Sequence, residues 1–155
     1  MEDEFRVKFT VDTMLGRLAK WLRILGYDTL YFNISNREEL ILSSLRDDRI
    51  ILTRDNKLAH KKILKRLFIE SEDTQQQLKQ LIKAKKIQID EDRLFTRCLL
   101  CNSPVEDIKK QEVKSRVPEY AYNTQECFSI CHSCDKIYWR GSHWDKIIDQ
   151  LKEVV

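Results

Sequence analysis

The sequence predicts an α/β fold in which helices flank a parallel sheet, followed by a small metal-stabilised module. In the first part of the chain, short β-prone runs alternate four times with segments of helical periodicity. This alternation is typical of a parallel sheet with right-handed crossovers. In the second part, four cysteines form two CxxC pairs, the usual spacing of metal ligands. We therefore predict a first domain over residues 1–90 and a second over residues 94–155, joined by a charged linker.

Composition indicates a folded intracellular protein. Hydrophobic residues make up 42% and charged residues 34% of the 155-residue chain, which is ordinary for a globular domain. No run approaches the roughly 20 apolar residues that a membrane-spanning helix needs. The N-terminal segment lacks the apolar core of a secretory signal. We expect a cytoplasmic location and no membrane partner, and cysteines in that compartment favour metal binding over disulfides.

The stretch over residues 8–28 reads KFTVDTMLGRLAKWLRILGYD and changes its periodicity at Asp12. Apolar residues alternate with polar ones before Asp12 and follow helical spacing after it, which predicts a strand and then a helix. Gly26 is placed to end this helix as its C′ residue. Asp12 then lies at the sheet edge where ligands of open α/β folds usually bind. Its carboxylate either caps the helix or binds a metal, and capping is the commoner role of such an Asp.

The next elements continue the alternation. Residues 29–32 form a short β-prone run, and Ser35 or Asn36 can cap a second helix with Glu39 in its first turn. Residues 49–53 form a nearly continuous apolar run, which is typical of a strand buried on both faces of a parallel sheet.

A basic segment follows the third strand. Residues 54–66 contain six cationic side chains and one acid, Asp55, and we expect a basic helix here. Such a segment is more often a solvated helix face than a binding surface. Residues 67–69 predict a fourth strand, and Asp73 or Thr74 can cap a helix that runs to about Ala84.

Acidic residues are predicted to meet at the carboxyl edge of the sheet. Asp12, Asp55 and Asp73 follow strands one, three and four, and Glu39 opens the helix after strand two. Crowded carboxylates repel one another and require a compensating cation or a bound proton. Because oxygen ligands suit hard cations, the expected occupant is Mg²⁺ or Mn²⁺.

The second module contains a candidate zinc site. Cys98 and Cys101 form one CxxC pair, and Cys131 and Cys134 form another after 29 intervening residues. Four thiolates supply a complete tetrahedral set for a structural Zn²⁺, whereas four reduced core cysteines are the less common alternative. Cys127 lies outside both pairs, and we expect it to be a buried small hydrophobe rather than a ligand.

An aromatic segment follows the second cysteine pair, with the sequence YWRGSHW over residues 138–144. Its rings and arginine could stack on unpaired bases. They could equally pack the small module against the first domain, and we favour packing because such a module has little core of its own.

Together these motifs resemble the Mut-seven C-terminal RNase domain family, a PIN-like nuclease domain that carries a zinc ribbon. The resemblance rests on VDTMLGRLAKWLRILGYD, on ILTRDNKL and on the CxxC pairs that end in YWRGSHW, and it extends over about residues 8–147. It implies a PIN-like fold for the first domain and a zinc ribbon for the second. Asp12 and Asp55 match the acidic positions of the family, and Asp73 and Glu39 match further acids of PIN-like folds.

The implied activity is metal-dependent hydrolysis of RNA. In such a reaction a carboxylate-bound metal lowers the pKa of a bound water and neutralises charge on the phosphate. Four basic residues near the acidic edge could hold flanking phosphates, or could be ordinary surface charge: Arg17, Lys20, Arg54 and Lys57. The net charge of +3 is too small for a strongly basic nucleic-acid binder, so any RNA contact must be local.

Two other function classes compete with this interpretation. The first is a non-catalytic RNA-binding or assembly module, for which a protein or ribosome partner is conceivable. The second is phosphotransfer through an aspartyl nucleophile at Asp12. The sequence disfavours it, because the haloacid-dehalogenase pattern needs a second Asp where this chain has Met14.

Overall fold

A computed structural model of the protein describes residues 7–31 and 37–155. Its first part is a four-stranded parallel sheet with strand order β2-β1-β3-β4. The strands are β1 (Phe9–Val11), β2 (Thr29–Tyr31), β3 (Ile50–Thr53) and β4 (Arg66–Phe68). The helices that follow them in turn are α1 (Gly16–Ile24), α2 (Arg37–Asp47), α3 (Asn56–Ala59) and α4 (Thr74–Lys83). The predicted α/β fold with a parallel sheet flanked by helices is confirmed.

Strand register brings the ends of the central strands together. Val11 at the end of β1 is aligned with Leu52 in β3, and Thr53 is aligned with Phe68 in β4. The amide of Asp12 then donates to the carbonyl of Leu52 at 3.0 Å, which extends the pairing by one residue. The residues that follow β1 and β3 therefore lie side by side at the carboxyl edge of the sheet.

Helix α1 ends where the sequence predicts. Gly26 has φ +92°, a conformation that glycine adopts without the strain of a Cβ atom. Its amide donates to the carbonyl of Arg23 at 3.0 Å, and the amide of Tyr27 donates to the carbonyl of Leu22 at 2.9 Å. This pair of hydrogen bonds is the Schellman arrangement, with Gly26 as the C′ residue.

The predicted basic helix over residues 54–66 is wrong, because only the four residues of α3 are helical. Leu64 leaves the helical path and is buried with Leu58 and Ile51. Arg66 is already the first residue of β4. The sequence 61–65 has no apolar stripe that could hold a longer helix on the sheet. The basic residues are consequently divided between the two edges, with Lys65 paired to Asp48 at 2.7 Å on the amino side.

Of the predicted bounds of β2 and β4, one differs from the structure, and the other falls partly outside the described residues. Strand β2 is described as far as Tyr31, so Phe32 and the proposed caps Ser35 and Asn36 lie outside the described residues. Strand β4 begins one residue earlier than expected and ends at Phe68.

The second part of the chain contains a three-stranded antiparallel sheet with order β5-β6-β7. Its elements are β5 (Glu106–Ile108), α5 (Glu119–Thr124), β6 (Phe128–Cys131), β7 (Lys136–Trp139) and α6 (Ser142–Val154). This sheet has a small core of its own. The core contains Val113, which lies between β5 and β6, together with Phe128, Ile130 and Ile137.

The C-terminal helix α6 returns to the first part of the molecule. It packs on α4, and its buried Leu151 and Val154 belong to the same hydrophobic core as the parallel sheet. Trp144 at its start stacks on Phe95 with ring centroids 5.1 Å apart, in line with the packing role expected for part of the aromatic segment. None of the helices in the described ranges is long and apolar enough to cross a membrane.

Candidate functional site

Asp12 is a buried carboxylate at the carboxyl edge of the parallel sheet, with 2% of its surface exposed. Its Oδ1 accepts a hydrogen bond from the amide of Thr13 at 2.8 Å, at the start of a short 3₁₀ turn that leads into α1. Its Oδ2 accepts one from the hydroxyl of Thr53 at 2.7 Å. Asp12 therefore does cap a helical turn, but its second carboxylate oxygen is hydrogen-bonded to Thr53 of the neighbouring strand β3. Burial of a carboxylate is costly unless it is paired and hydrogen-bonded.

Thr53 connects Asp12 to Asp55. The Thr53 hydroxyl accepts a hydrogen bond from the amide of Asp55 at 2.9 Å while it donates to Asp12. Asp55 in turn caps α3, because its Oδ1 accepts a hydrogen bond from the amide of Lys57 at 2.8 Å. This hydrogen bond, helped by the charge of Arg37, holds the pKa of Asp55 below its usual value. Asp55 therefore remains ionised beside Asp12.

Arg37, which the sequence motifs did not single out, forms ion pairs with both acids. Its Nη2 lies 2.6 Å from Oδ2 of Asp55, and its Nη1 lies 3.5 Å from Oδ2 of Asp12. The guanidinium thus provides the compensating positive charge that the crowded carboxylates require. One signal was available in the sequence. Arg37 opens α2, where a cation is unfavourable to the helix dipole, and a cation at such a position suggests an acidic partner elsewhere.

The other two predicted acidic ligands occupy separate positions. Asp73 is exposed and caps α4, where its Oδ2 accepts a hydrogen bond from the amide of Gln76 at 3.1 Å. Glu39 is exposed in the first turn of α2. In the described part of the chain, the one group of at least three His, Cys, Asp or Glu side chains close enough to share an ion is formed by cysteines. Asp12 and Asp55 are therefore brought together by Arg37 and Thr53, and the roles of Asp73 and Glu39 stay predictions.

The predicted phosphate-binding residues differ in their exposure to solvent. Arg17 and Lys20 are exposed on α1, and Lys57 is exposed on α3. Arg54 is half-buried and donates to the carbonyls of Ile69 at 3.2 Å and Glu70 at 3.3 Å. Arg54 therefore ties β3 to the segment after β4, whereas the other three have charges that face solvent.

The four predicted cysteine ligands form one cluster. The sulfur atoms of Cys98, Cys101, Cys131 and Cys134 all lie within 4.8 Å of one another. The Cys101 and Cys131 sulfurs are 3.5 Å apart, much longer than a disulfide bond of about 2.05 Å. Tetrahedral Zn–S bonds of about 2.3 Å place sulfurs roughly 3.8 Å apart, so the donor set fits zinc.

The pKa values of these thiols are shifted in opposite directions. Hydrogen bonds from Ser103 and neighbouring thiols outweigh burial and lower the pKa of Cys101 to about 6. The pKa of Cys134 rises to about 12, because its thiol is hydrogen-bonded to Cys101 and is also desolvated. The clustered thiols therefore oppose one another's ionisation, and a bound cation would relieve that repulsion. Tyr138 supports the cluster, since its hydroxyl lies 3.0 Å from the sulfur of Cys98 and accepts from the amide of Leu99 at 3.2 Å.

Cys127 is exposed, so the expectation that it would be buried is wrong. Phe128, the next residue, is the first of β6 and points into the small core. Side chains alternate along a strand, and Cys127 therefore faces the other way. It is not a member of the sulfur cluster.

Asn102 fixes the first cysteine pair to the parallel sheet. Its Oδ1 accepts a hydrogen bond from the amide of Thr29 at 2.9 Å, and its Nδ2 donates to Asp28 at 2.7 Å. Asp28 is also paired with Arg49 at 2.8 Å. From α1, Arg23 donates to the carbonyl of Leu99 at 3.0 Å. The cysteine cluster is therefore docked at the amino edge of the sheet, on the side opposite Asp12.

Comparison with curated proteins and with solved structures gave no significant match. The family model described as the Mut7-C RNAse domain matches residues 7–151, nearly the whole chain. The match includes Asp12, Asp55 and all four cysteines of the cluster. The resemblance inferred from the sequence motifs is thereby confirmed, and the chain belongs to the Mut7-C RNAse domain family.

Proposed function

We propose that the protein is a PIN-like, metal-dependent ribonuclease that hydrolyses RNA phosphodiester bonds at the carboxyl edge of the parallel sheet. Membership of an RNase domain family supports a nuclease. The observation that carries the proposal is the buried Asp12, which is linked to Asp55 through the hydroxyl of Thr53. A carboxylate with 2% exposure, placed beside a second carboxylate at a ligand-binding edge, is expensive to maintain for helix capping alone.

Asp12 and Asp55 are the residues that would hold Mg²⁺ or Mn²⁺. Their carboxylates, with the adjacent Thr53 hydroxyl, are the oxygen donors that hard cations prefer. An ion bound there would supply an acidified water and charge neutralisation at the phosphate. Thr53 fixes the orientation of Asp12 and of the backbone at Asp55. We assign Glu39 and Asp73 as further acids of the site, from their positions after β2 and β4.

Arg37 has a defined part in this proposal. In the structure its guanidinium neutralises Asp12 and Asp55. Planar guanidinium groups also bind phosphate through paired hydrogen bonds. We infer that Arg37 holds the acid pair in the free protein and turns to a phosphate of the bound RNA. Arg17 and Lys57, exposed near the same edge, would contact flanking phosphates.

The cysteine cluster would hold a structural Zn²⁺ in a zinc-ribbon module. All four positions of a tetrahedral ion would be filled by sulfur, which leaves none for a reacting water. The module would help to engage RNA rather than to cleave it. Free thiols gathered in one cluster suit a reducing compartment, so we propose a cytoplasmic location.

The proposal is tested by replacing each carboxylate with an amide. Asn is as good a helix cap as Asp, so Asp12→Asn and Asp55→Asn should keep the capping hydrogen bonds but lose the charge that a metal requires. We expect cleavage of labelled RNA, structured and unstructured, to depend on Mn²⁺ or Mg²⁺ and to disappear in both variants. Asp90→Asn is the matched control, because Asp90 caps a 3₁₀ turn in the linker. Cleavage that survives in either variant would remove that carboxylate from the mechanism.

A non-catalytic RNA-binding module is the second candidate, and one observation favours it. Arg37 already neutralises the acid pair, and an arginine bridge can be a permanent structural feature. If wild-type protein binds RNA but cleaves none with any divalent ion, this second function replaces the first.

A further inference from the structure

A groove of about 580 Å³ lies where the zinc-ribbon module meets α1 and α6. Its walls are strand β7, the turn at residues 140–141 and one face of α6. Lys20 and Ile24 of α1 close the side that leads to the first domain. We name this feature the ribbon groove. It is separate from both the acid pair and the four sulfur atoms.

The charged side chains that line the ribbon groove are all basic. Among the described residues that line it are four Lys or Arg side chains and no Asp or Glu: the cations are Lys20, Lys136, Arg140 and Lys146. The chain as a whole has 28 basic and 25 acidic residues. The absence of acidic side chains among these lining residues is therefore not explained by overall composition. A concave surface of uniform positive charge is complementary to a polyanion.

Aromatic side chains lie between these cations. Tyr120 lines the groove and is 67% exposed. The Arg140 guanidinium lies 3.9 Å from the centre of the Trp144 ring, and Phe95 also packs against this ring. Arg140 is itself exposed, so the stacked pair presents a flat cationic surface to the groove. Aromatic rings and guanidinium planes are the surfaces on which unpaired bases stack.

We propose that the ribbon groove binds an unpaired nucleic-acid strand. Bases would stack on Tyr120 and on the exposed face of Arg140, while Lys20, Lys136 and Lys146 would contact phosphates. Bases in a duplex are already stacked on each other and cannot use these surfaces. The groove therefore selects single strands.

Helix α1 connects the groove to the acid pair, because Lys20 and Ile24 line the groove and Asp12 precedes the helix. Lys20 lies on α1, and Arg17 is exposed one turn closer to Asp12. A nine-residue helix such as α1 is about 14 Å long, so a strand leaving the groove along this helix would reach the carboxyl edge within a few nucleotides. This path rests on the proposed ribonuclease function, whereas the binding in the groove does not.

The test is RNA binding measured by fluorescence anisotropy in buffer without added divalent ions. The probe is a labelled single-stranded oligonucleotide of about 12 nucleotides, within the usual footprint of such sites. The groove variant is Lys20→Gln/Lys136→Gln/Lys146→Gln. The control variant, Lys79→Gln/Lys83→Gln/Lys114→Gln, removes the same charge at exposed positions outside the groove. Melting temperature and zinc content are compared first, to show that all variants are folded.

We expect the groove variant to bind more weakly and to lower the slope of log K against log salt by roughly 2, since each phosphate contact on a single strand contributes roughly 0.7. Tyr120→Ala should weaken binding by about tenfold, and Tyr120→Trp should restore it. Equal effects of the groove and control variants would overturn the proposal. Competition by a duplex that matches competition by the single strand would overturn it as well. If binding depends on the groove but no metal-dependent cleavage is found, this inference stands and only the proposed ribonuclease function is rejected.

Discussion

The guanidinium of Arg37 lies 2.6 Å from the carboxylate of Asp55, at the edge of the sheet where a divalent cation was expected. The same group approaches Asp12 at 3.5 Å. Electrostatic compensation of the two acids is therefore already present within the chain. Arg37 makes the acid pair stable without metal, and it also opposes metal binding, because a divalent ion must compete with it for the same oxygens.

The first prediction concerns the cysteine cluster. Purified protein should contain about one equivalent of zinc, and Cys131→Ser should lose the metal together with the ribbon fold. Zinc binding contributes on the order of 10–16 kcal/mol to folding in comparable small modules. Cys127→Ser is the matched control, because this exposed cysteine lies outside the cluster and should keep both zinc and stability. Metal analysis and thermal unfolding measure the difference. Zinc-free protein in which all five thiols titrate under native conditions would contradict the assignment.

The second prediction concerns Asn102, which has φ +74° and bonds both Thr29 and Asp28. Asn102→Gly keeps that backbone conformation accessible but leaves the buried amide of Thr29 without its partner. We expect the free energy of unfolding to fall by about 1–3 kcal/mol in urea titrations. Lys85→Gly is the control, since Lys85 is exposed with φ +57° and glycine relieves strain there. An Asn102→Gly effect no larger than that of the control would show that this contact does not hold the modules together.

A third prediction concerns pH. Burial raises the pKa of Asp28, but hydrogen bonds from Arg49 and Asn102 outweigh it and hold the pKa below the usual value. A carboxyl with a depressed pKa stabilises the fold above its unfolded pKa of about 3.9 and loses that contribution as pH falls through the folded value. Wild type should therefore lose more stability than Asp28→Asn on acidification through this window. Parallel stability curves for the two proteins would exclude Asp28 as a source of acid sensitivity.

The parts of the fold that were predictable are those determined by local sequence. The change of period at Asp12 located β1 and α1, and Gly26 marked the helix end because its position requires positive φ. Four strand-helix repeats were enough to predict a parallel sheet. The cysteine spacing identified all four members of the sulfur cluster, because two CxxC pairs are a usual ligand spacing for zinc.

The parts that were not predictable depend on contacts between distant segments. Arg37 reaches Asp12 and Asp55 only because α2 begins at the same sheet edge as the ends of β1 and β3. The basic segment after Asp55 forms only a short helix, because it has no apolar stripe beyond Ala59 and Leu64 is buried against the sheet outside the helix. Nothing in the periodicity of α6 indicates that Leu151 and Val154 share a core with the parallel sheet rather than with the antiparallel sheet that precedes this helix.

The fourth prediction concerns Gly26. A Cβ atom at this position would lie 2.7 Å from the carbonyl oxygen of Arg93, and φ +92° is itself strained for any residue with a side chain. Gly26→Ala should therefore lower the free energy of unfolding by more than about 1 kcal/mol. Gly141→Ala is the comparison, because Gly141 has φ −84° and its added Cβ meets only the side chain of Trp139. Thermal and urea unfolding of the two variants provide the measurement, and equal stabilities would contradict the role given to Gly26.

The last prediction concerns competition between Arg37 and a divalent metal. Arg37→Gln removes the charge that compensates the acid pair and leaves the buried Asp12 carboxylate without its cation, so the metal-free variant should melt a few degrees below wild type. Mn²⁺ should then bind the variant more tightly, because the carboxylates of Asp12 and Asp55 no longer have another cation between them. Since a ligand raises stability according to its concentration relative to Kd, the Mn²⁺-dependent rise in melting temperature should begin at lower Mn²⁺ concentration in the variant. Arg46→Gln is the matched control, an exposed arginine at the other end of the same helix. If Mn²⁺ stabilises neither wild type nor Arg37→Gln, the acid pair is not a metal site and Arg37 is its permanent partner, as a non-catalytic RNA-binding module would require.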